Sequence, residues 1–194
     1  MGVFMGKNKF ILFDRDGVIN IEKSYLYKIE DFEYESGVIE GLEKLKKLGY
    51  RFLIITNQAG IARGYYTEED YLKLEKFITE DLKNKGIKIE KTYYCPHHPE
   101  GKENYGIECD CRKPNTGNFL KAIEEFQIDV KKSFMVGDRI TDLIPAEKLG
   151  FKTVLVKTGY GMKNISKLAD NGLKSLVVGS ISEFGDFLKE NSAM

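Results

Sequence analysis

The chain has 194 residues, of which 42% are hydrophobic and 31% charged, and its thirty basic and thirty acidic side chains cancel. That length fits one ordinary domain, 1–194, around a single core, and the charge balance offers no general attraction for nucleic acid or an anionic membrane. No apolar run nears the roughly 20 residues a spanning helix needs, and the opening MGVFMGKNKF lacks a signal peptide's apolar region and cleavage site, so a cytoplasmic, monomeric protein is expected.

Short apolar runs rich in β-formers alternate with longer segments of helical period, the pattern of an α/β fold on a mainly parallel sheet. Phe10 to Phe13 reads as the first strand. Val38, Leu42, Leu45 and Leu48 mark a helix that Gly49 closes, and Phe52 to Ile55 is the second strand. Thr67, followed by Glu68, Glu69 and Asp70, caps a helix whose apolar stripe runs through Tyr71, Leu74, Ile78 and Leu82. Ile89 to Tyr94 reads as a third strand, ahead of a long loop from Cys95 to Thr116. Phe119, Leu120, Ile123 and Phe126 define the next helix. Strands at Phe134–Val136, Thr153–Val156 and Leu176–Val178, and helices at about Thr141–Leu149 and Ser182–Lys189, complete the pattern.

In open α/β sheets, ligands bind beyond the carboxyl ends of the strands. Three of these ends carry polar clusters: Asp14-Arg15-Asp16-Gly17, Thr56-Asn57-Gln58, and Gly137-Asp138-Arg139 with Asp142 a turn later. Each could be an ordinary turn or helix cap by itself. Together with Arg112-Lys113 they suit metal-assisted phosphoryl transfer. An ionised Asp attacking a phosphate dianion meets repulsion of about 8 kcal/mol at 4 Å and an effective dielectric near 20, roughly six decades in rate. A divalent cation removes that barrier. Asp14 and Asp138 can supply oxygen ligands for Mg²⁺, Lys113 a point charge, and Thr56 a further phosphate contact. Asp16, with its pKa raised by neighbouring like charge, could protonate the leaving alkoxide and later activate water.

All three cysteines and both histidines fall between Cys95 and Cys111. Cys95 and His97, then Cys109 and Cys111, supply three thiolates and an imidazole, an ordinary tetrahedral set for structural Zn²⁺, with His98 as a competitor for His97. Such a site would fold the 95–111 insertion and deliver Arg112 and Lys113 to the phosphate.

DRDGVIN, ITNQAGIARG, CRKP and MVGDRITD, in this order, resemble the four signature motifs of the haloacid dehalogenase-like phosphatases, over about Phe10 to Val156. The resemblance implies a Rossmann-like three-layer sandwich. It makes Asp14 the nucleophile that becomes an aspartyl phosphate and Asp16 the general acid and base. It gives phosphoryl stabilisation to Thr56 and Lys113, and Mg²⁺ to Asp14, Asp138 and the Asp16 carbonyl. The first two motifs are too close for a large cap domain. The cysteine pattern is similar to the zinc-containing, histidinol-phosphatase-related subfamily, and the TNQAGIARG and YYTEED segments point within it to a small sugar bisphosphate as substrate, with histidinol phosphate the rival. That resemblance implies a sugar pocket lined by Arg15, Glu22, Lys23, Ser24, Tyr25, Asn57, Gln58, Ala59, Arg112 and Arg139. Arg112 has separate support, since a planar guanidinium suits bidentate binding of a second phosphate. Two readings of another class remain: a phospho-accepting receiver-like domain, and a zinc-organised binding module without catalysis.

Overall fold

The computed structural model describes residues 8–191; most of the opening arm, residues 1–7, lies outside them. Six strands form one sheet: β1 (Phe10–Phe13), β2 (Arg51–Asn57), β3 (Ile89–Cys95), β4 (Phe134–Gly137), β5 (Lys152–Val156) and β6 (Leu176–Val178). Their order is β3-β2-β1-β4-β5-β6 and every neighbouring pair is parallel. All four residues of β1 are buried, as a strand covered on both faces requires.

Alternation along the strands divides the core into two layers. Ile11, Phe13, Phe52 and Ile54 point to one face, where they meet Leu42 and Leu45 of α1 (Val38–Lys47), Leu74 and Ile78 of α3 (Glu68–Asn84), and Phe184 of α8 (Ile181–Asn191). Phe10, Leu12, Leu53, Ile55 and Met135 point to the other, against Phe119 and Ala122 of α4 (Gly117–Phe126) and Ala146 of α5 (Ile140–Lys148). The arrangement is the expected three-layer sandwich. Three short helices were not legible in the sequence: α2 (Ala59–Arg63), α6 (Gly161–Asn164) and α7 (Lys167–Asp170). One turn of helix is too brief to show an apolar period.

Topology decides where the site falls. The chain lays down β1, β2 and β3 outward in one direction, then returns to place β4 on the other flank of β1. The carboxyl ends of β1 and β4 therefore flank the switch point, where a crevice opens in doubly wound sheets. The segment from Asn20 to Gly37 carries only a single 3₁₀ turn, Ile29–Asp31, and Ile21 N–H to the Glu33 carbonyl and Glu35 N–H to the Ile19 carbonyl tie it down. No cap domain is built there. Among the described residues, no helix is long and apolar enough to cross a membrane.

Helix α3 starts as its sequence demands. Thr67 Oγ1 accepts from Asp70 N–H at 3.1 Å while the Asp70 carboxylate accepts from Thr67 N–H at 3.0 Å. Thr67→Ala removes half of this reciprocal cap and should cost about 1 kcal/mol in urea unfolding. Thr67 does not line the cavity at the switch point, so the change should leave that region intact.

Candidate active site

Four chain segments meet at the switch point. β1 delivers Asp14 and β4 delivers Asp138, the turn after β2 brings Gln58, and the end of the cysteine loop brings Lys113. Lys113 is fixed by its backbone. Asn57 Nδ2 donates to the Lys113 carbonyl and Lys113 N–H donates to Asn57 Oδ1, both at 3.0 Å, so one side-chain amide grips both polar groups of one peptide residue. The Lys113 ammonium then donates to the Ile55 carbonyl at 2.7 Å and pairs with Asp14 Oδ1 at 2.9 Å and Asp142 Oδ1 at 2.7 Å.

Asp14, Asp138 and Asp142 are all buried, and their carboxylate oxygens lie within 4.8 Å of one another. Asp142 sits in the first turn of α5 and accepts the Arg139 N–H at 3.0 Å. Asp138 Oδ2 accepts the Tyr160 N–H at 2.7 Å, whereas Asp138 Oδ1 is buried without a hydrogen bond, its nearest guanidinium nitrogen 4.0 Å away on Arg139. A Cβ on Gly17, whose φ is +80°, would come within 2.5 Å of Asp138 Oδ2, and one on Gly159 closer still. Glycine at both positions lets the β1 turn and the segment after β5 close around this carboxylate.

Three carboxylates against one ammonium leave excess negative charge in a water-poor site. Burial, offset in part by Lys113 and reinforced by Asp142, pushes Asp14 up to about 7; burial with Asp142 and Asp14 pushes Asp138 up to about 8. A group of hard oxygen donors, one of them unpartnered, fits Mg²⁺. Asp14 and Asp138 would hold the ion, as the sequence suggests.

Asp16 behaves oppositely to expectation. Burial raises its pKa, but Arg15, Asn20 and Gln58 outweigh burial and the net shift is downward. Arg15 Nη2 and Asn20 Nδ2 donate to Oδ1 at 2.9 and 3.0 Å, and Gln58 Nε2 donates to Oδ2 at 3.0 Å. Like charge from Asp14 was expected to dominate; the adjacent guanidinium, turned inward, dominates instead. Gln58 also donates to Thr56 Oγ1 at 2.9 Å and accepts from the Tyr66 hydroxyl at 2.6 Å, which fixes which end of its amide faces the carboxylate.

Above these groups lies a cavity of about 350 Å³, within the usual range of small-molecule sites. Asp14, Asp16, Glu22, Ser24, Tyr25, Asn57, Gln58, Ala59, Arg112, Lys113 and Arg139 line it. Two expected pocket residues do not. Arg15 is fully buried beneath the floor, donating to Asp16 and to the Leu26 carbonyl over the Tyr71 ring. Lys23 turns outward to Glu33 and the Asp31 carbonyl. Thr56, 1% exposed, lies just below the cavity surface. Ser24 and Tyr25 take left-handed φ values of 51° and 71° at the rim, where Tyr25 packs on Tyr65 with ring centroids 4.6 Å apart. Arg139 stacks 3.7 Å over the Tyr160 ring and reaches Glu22 at 3.5 Å. Arg63, Tyr66, His98, Thr141, Asp142 and Tyr160 also line the cavity without having been assigned there. Arg63, Asp142 and His98 stand inside or beside the motifs already quoted; nothing in the sequence marks Tyr160.

The cysteine loop folds beside the cavity. Cys95, His97, Cys109 and Cys111 converge, with sulfur separations of 3.5, 3.2 and 3.2 Å and His97 Nδ1 3.4 Å from Cys111 Sγ and 3.8 Å from Cys95 Sγ. A tetrahedral centre with metal–sulfur bonds near 2.3 Å sets its ligands about 3.8 Å apart, so these four atoms form a slightly contracted cage that could hold a metal ion. His98 turns away to Arg63 and Glu100, leaving His97 as the nitrogen donor.

A switch-point crevice with an Asp-x-Asp turn, a buried lysine and a second acidic turn defines a haloacid dehalogenase-like hydrolase, and a HAD-hydrolase-like family model matches residues 110–183. A D-glycero-beta-D-manno-heptose-1,7-bisphosphate 7-phosphatase of Pasteurella multocida is 42% identical over 93% of this chain and 97% of its own. A D-glycero-alpha-D-manno-heptose-1,7-bisphosphate 7-phosphatase of Photorhabdus laumondii is 49% identical over 79% of this chain and 85% of its own. Among solved structures, D,D-heptose 1,7-bisphosphate phosphatase from B. bronchiseptica, complexed with magnesium and phosphate, superposes with a TM-score of 0.82 and 27% identity, covering 94% of this chain and 99% of that one. The chain belongs to the D-glycero-D-manno-heptose-1,7-bisphosphate 7-phosphatase family of phosphoric monoester hydrolases.

The raised carboxyl pKa values set a pH dependence. A carboxyl group whose pKa is higher folded than unfolded stabilises the fold fully below its unfolded value of 3.8, and that contribution is lost as pH rises through about 7 for Asp14 and about 8 for Asp138. A cation bound between them relieves the loss. The increase in Tm caused by millimolar Mg²⁺ over a chelator control should therefore grow between pH 5 and pH 9; a shift that is flat or falls with pH would contradict this electrostatic account.

Proposed function

We propose that this chain hydrolyses the 7-phosphate of D-glycero-D-manno-heptose 1,7-bisphosphate through an aspartyl phosphate on Asp14, in the synthesis of nucleotide-activated heptose. The observation that carries the reading is the buried Asp14–Lys113–Asp142 array, with Asp138 against it, at the β1/β4 switch point. Likeness of this chain to the named heptose phosphatases across almost their full length supports the sugar.

Asp14 attacks phosphorus, forming the Asp14 Oδ–P bond while the bond to the sugar O7 breaks. Lys113 and Thr56 bind the peripheral phosphoryl oxygens. Asp14, Asp138 and the Asp16 carbonyl would hold Mg²⁺, which would supply the charge neutralisation that two approaching anions need. Asp16 delivers a proton to the departing O7. It is ionised in the free chain and takes up this proton from solvent as substrate binds, when the incoming phosphate dianion raises its proton affinity. With the alcohol gone, Asp16 takes a proton from water that attacks phosphorus and restores the Asp14 carboxylate. Gln58, held by Tyr66, orients Asp16 throughout. Cys95, His97, Cys109 and Cys111 would hold Zn²⁺ in a structural role, since four protein ligands leave no open position.

Asp14→Asn should reduce phosphate release from heptose 1,7-bisphosphate by at least about 10³-fold. It should melt no lower than the native chain, because it removes one of three mutually repelling buried charges. Loss of activity together with a lower Tm would point to misfolding and not to a missing nucleophile. Acid quenching during turnover followed by borohydride reduction should convert Asp14 to homoserine, read by mass spectrometry of its peptide; an Asp14 peptide left unreduced in enzyme quenched at steady state would eliminate the covalent step. A marked preference for histidinol phosphate would overturn the assignment of the sugar.

Metal analysis should find one zinc per chain in the native protein and a deficit in Cys109→Ser. That variant should lose activity that added Mg²⁺ does not restore, because the loop that holds Arg112 and His98 at the cavity wall is no longer folded.

A further inference from the structure

Arg63 ends α2 and His98 follows the first pair of cage residues, and they face each other across the cavity wall with Arg63 Nη2 3.2 Å from His98 Nε2. Which atom donates follows from the other ring nitrogen. Glu100 N–H donates to His98 Nδ1 at 3.1 Å, so Nδ1 carries the lone pair and the proton of the neutral ring is on Nε2. A guanidinium has donors and no acceptor. The two groups therefore present N–H to N–H, a contact that is repulsive unless an acceptor bridges it. Arg63 Nε, also buried, has no partner. The carboxylate within reach, Glu100, touches Nη2 at 3.3 Å from a side chain that is 78% exposed, a pairing that water screens and a stronger anion can displace.

Arg112 lines the same cavity, and its hydrogen bond to the His97 carbonyl at 3.3 Å leaves most of its donors open. The other cations of the wall are already engaged: Lys113 holds Asp14 and Asp142, and Arg139 stacks on Tyr160 beside Glu22. We propose that Arg63 and His98, together with Arg112, form the subsite for the substrate's second phosphate, the one that is not cleaved. A phosphate monoester has three peripheral oxygens, enough to accept from Arg63 Nη2 and His98 Nε2 at once and from Arg112 in addition. The subsite rests on the bisphosphate reading above and deepens it: two phosphates are recognised by different chemistry, one by a lysine with a hydroxyl and a cation, the other by guanidinium and imidazole donors.

The test is a ratio of specificity constants on zinc- and magnesium-loaded enzyme. For Arg63→Gln, kcat/KM on heptose 1,7-bisphosphate relative to that on p-nitrophenyl phosphate, which has no second phosphate, should fall roughly 10- to 100-fold through a higher KM. Arg63→Lys, which keeps the charge and loses the fork, should recover part of it, and His98→Gln, which keeps a donor near Nε2, should lose less than Arg63→Gln. Equal losses on both substrates, or an unchanged ratio, would overturn the subsite. Should the native enzyme release no phosphate from the heptose compound, the substrate reading fails by itself. The subsite is then judged by inhibition of p-nitrophenyl phosphate hydrolysis by glucose 1,6-bisphosphate against glucose 6-phosphate. A preference for the bisphosphate that Arg63→Gln abolishes supports it, and the absence of any preference overturns it.

Discussion

Three carboxylates share one buried ammonium at the centre of this protein, and nearly every local feature around them manages that imbalance. Lys113 neutralises one of the three charges, Tyr160 and Arg139 N–H groups hold Asp138 and Asp142 in place, and the glycines at 17 and 159 allow the main chain to close within contact distance. The remaining charge cannot be dispersed by water, which is why burial raises the carboxyl pKa values of Asp14 and Asp138. An array so arranged is poorly stable alone and receptive to a dication and a phosphoryl group together. Stability has been given up locally where binding recovers it.

The contrast between Asp14 and Asp16 follows from their neighbours and not from their residue type. They are two positions apart, yet Asp14 faces other carboxylates while Asp16 is enclosed by Arg15, Asn20 and Gln58. The same side chain is thus placed in two electrostatic environments by the turn that ends β1. In the free chain the order is the reverse of what an acid paired with an ionised nucleophile needs, so the proposed reaction requires a bound dication and phosphoryl group to invert it.

The strand ends, the acidic and polar clusters that follow them and the cysteine cage were legible in the sequence because each is local: an apolar run stops and a charged turn begins. Side-chain direction is not local in that sense. Arg15 turns under the floor and Lys23 turns out to solvent, although both stand in segments that otherwise face the cavity. Asp142 was visible as a neighbour of Asp138, but its contact with Lys113 joins residues 29 positions apart across the connection from β3 through α4 to β4. Tyr160 had no signal at all: it enters the wall because the segment after β5 folds back over Asp138.

The two-way grip of Asn57 on Lys113 has an evolutionary consequence. Cys95 is secured by its place in β3 and Lys113 by that amide, so both ends of the intervening excursion are anchored to β2 and β3 independently of its length. Residues between the Cys95–His97 and Cys109–Cys111 pairs can be inserted, deleted or exchanged without displacing Lys113. Substrate range can drift there while the phosphoryl-transfer apparatus stays fixed, a modular separation that lets one hydrolytic engine be retuned for different leaving groups.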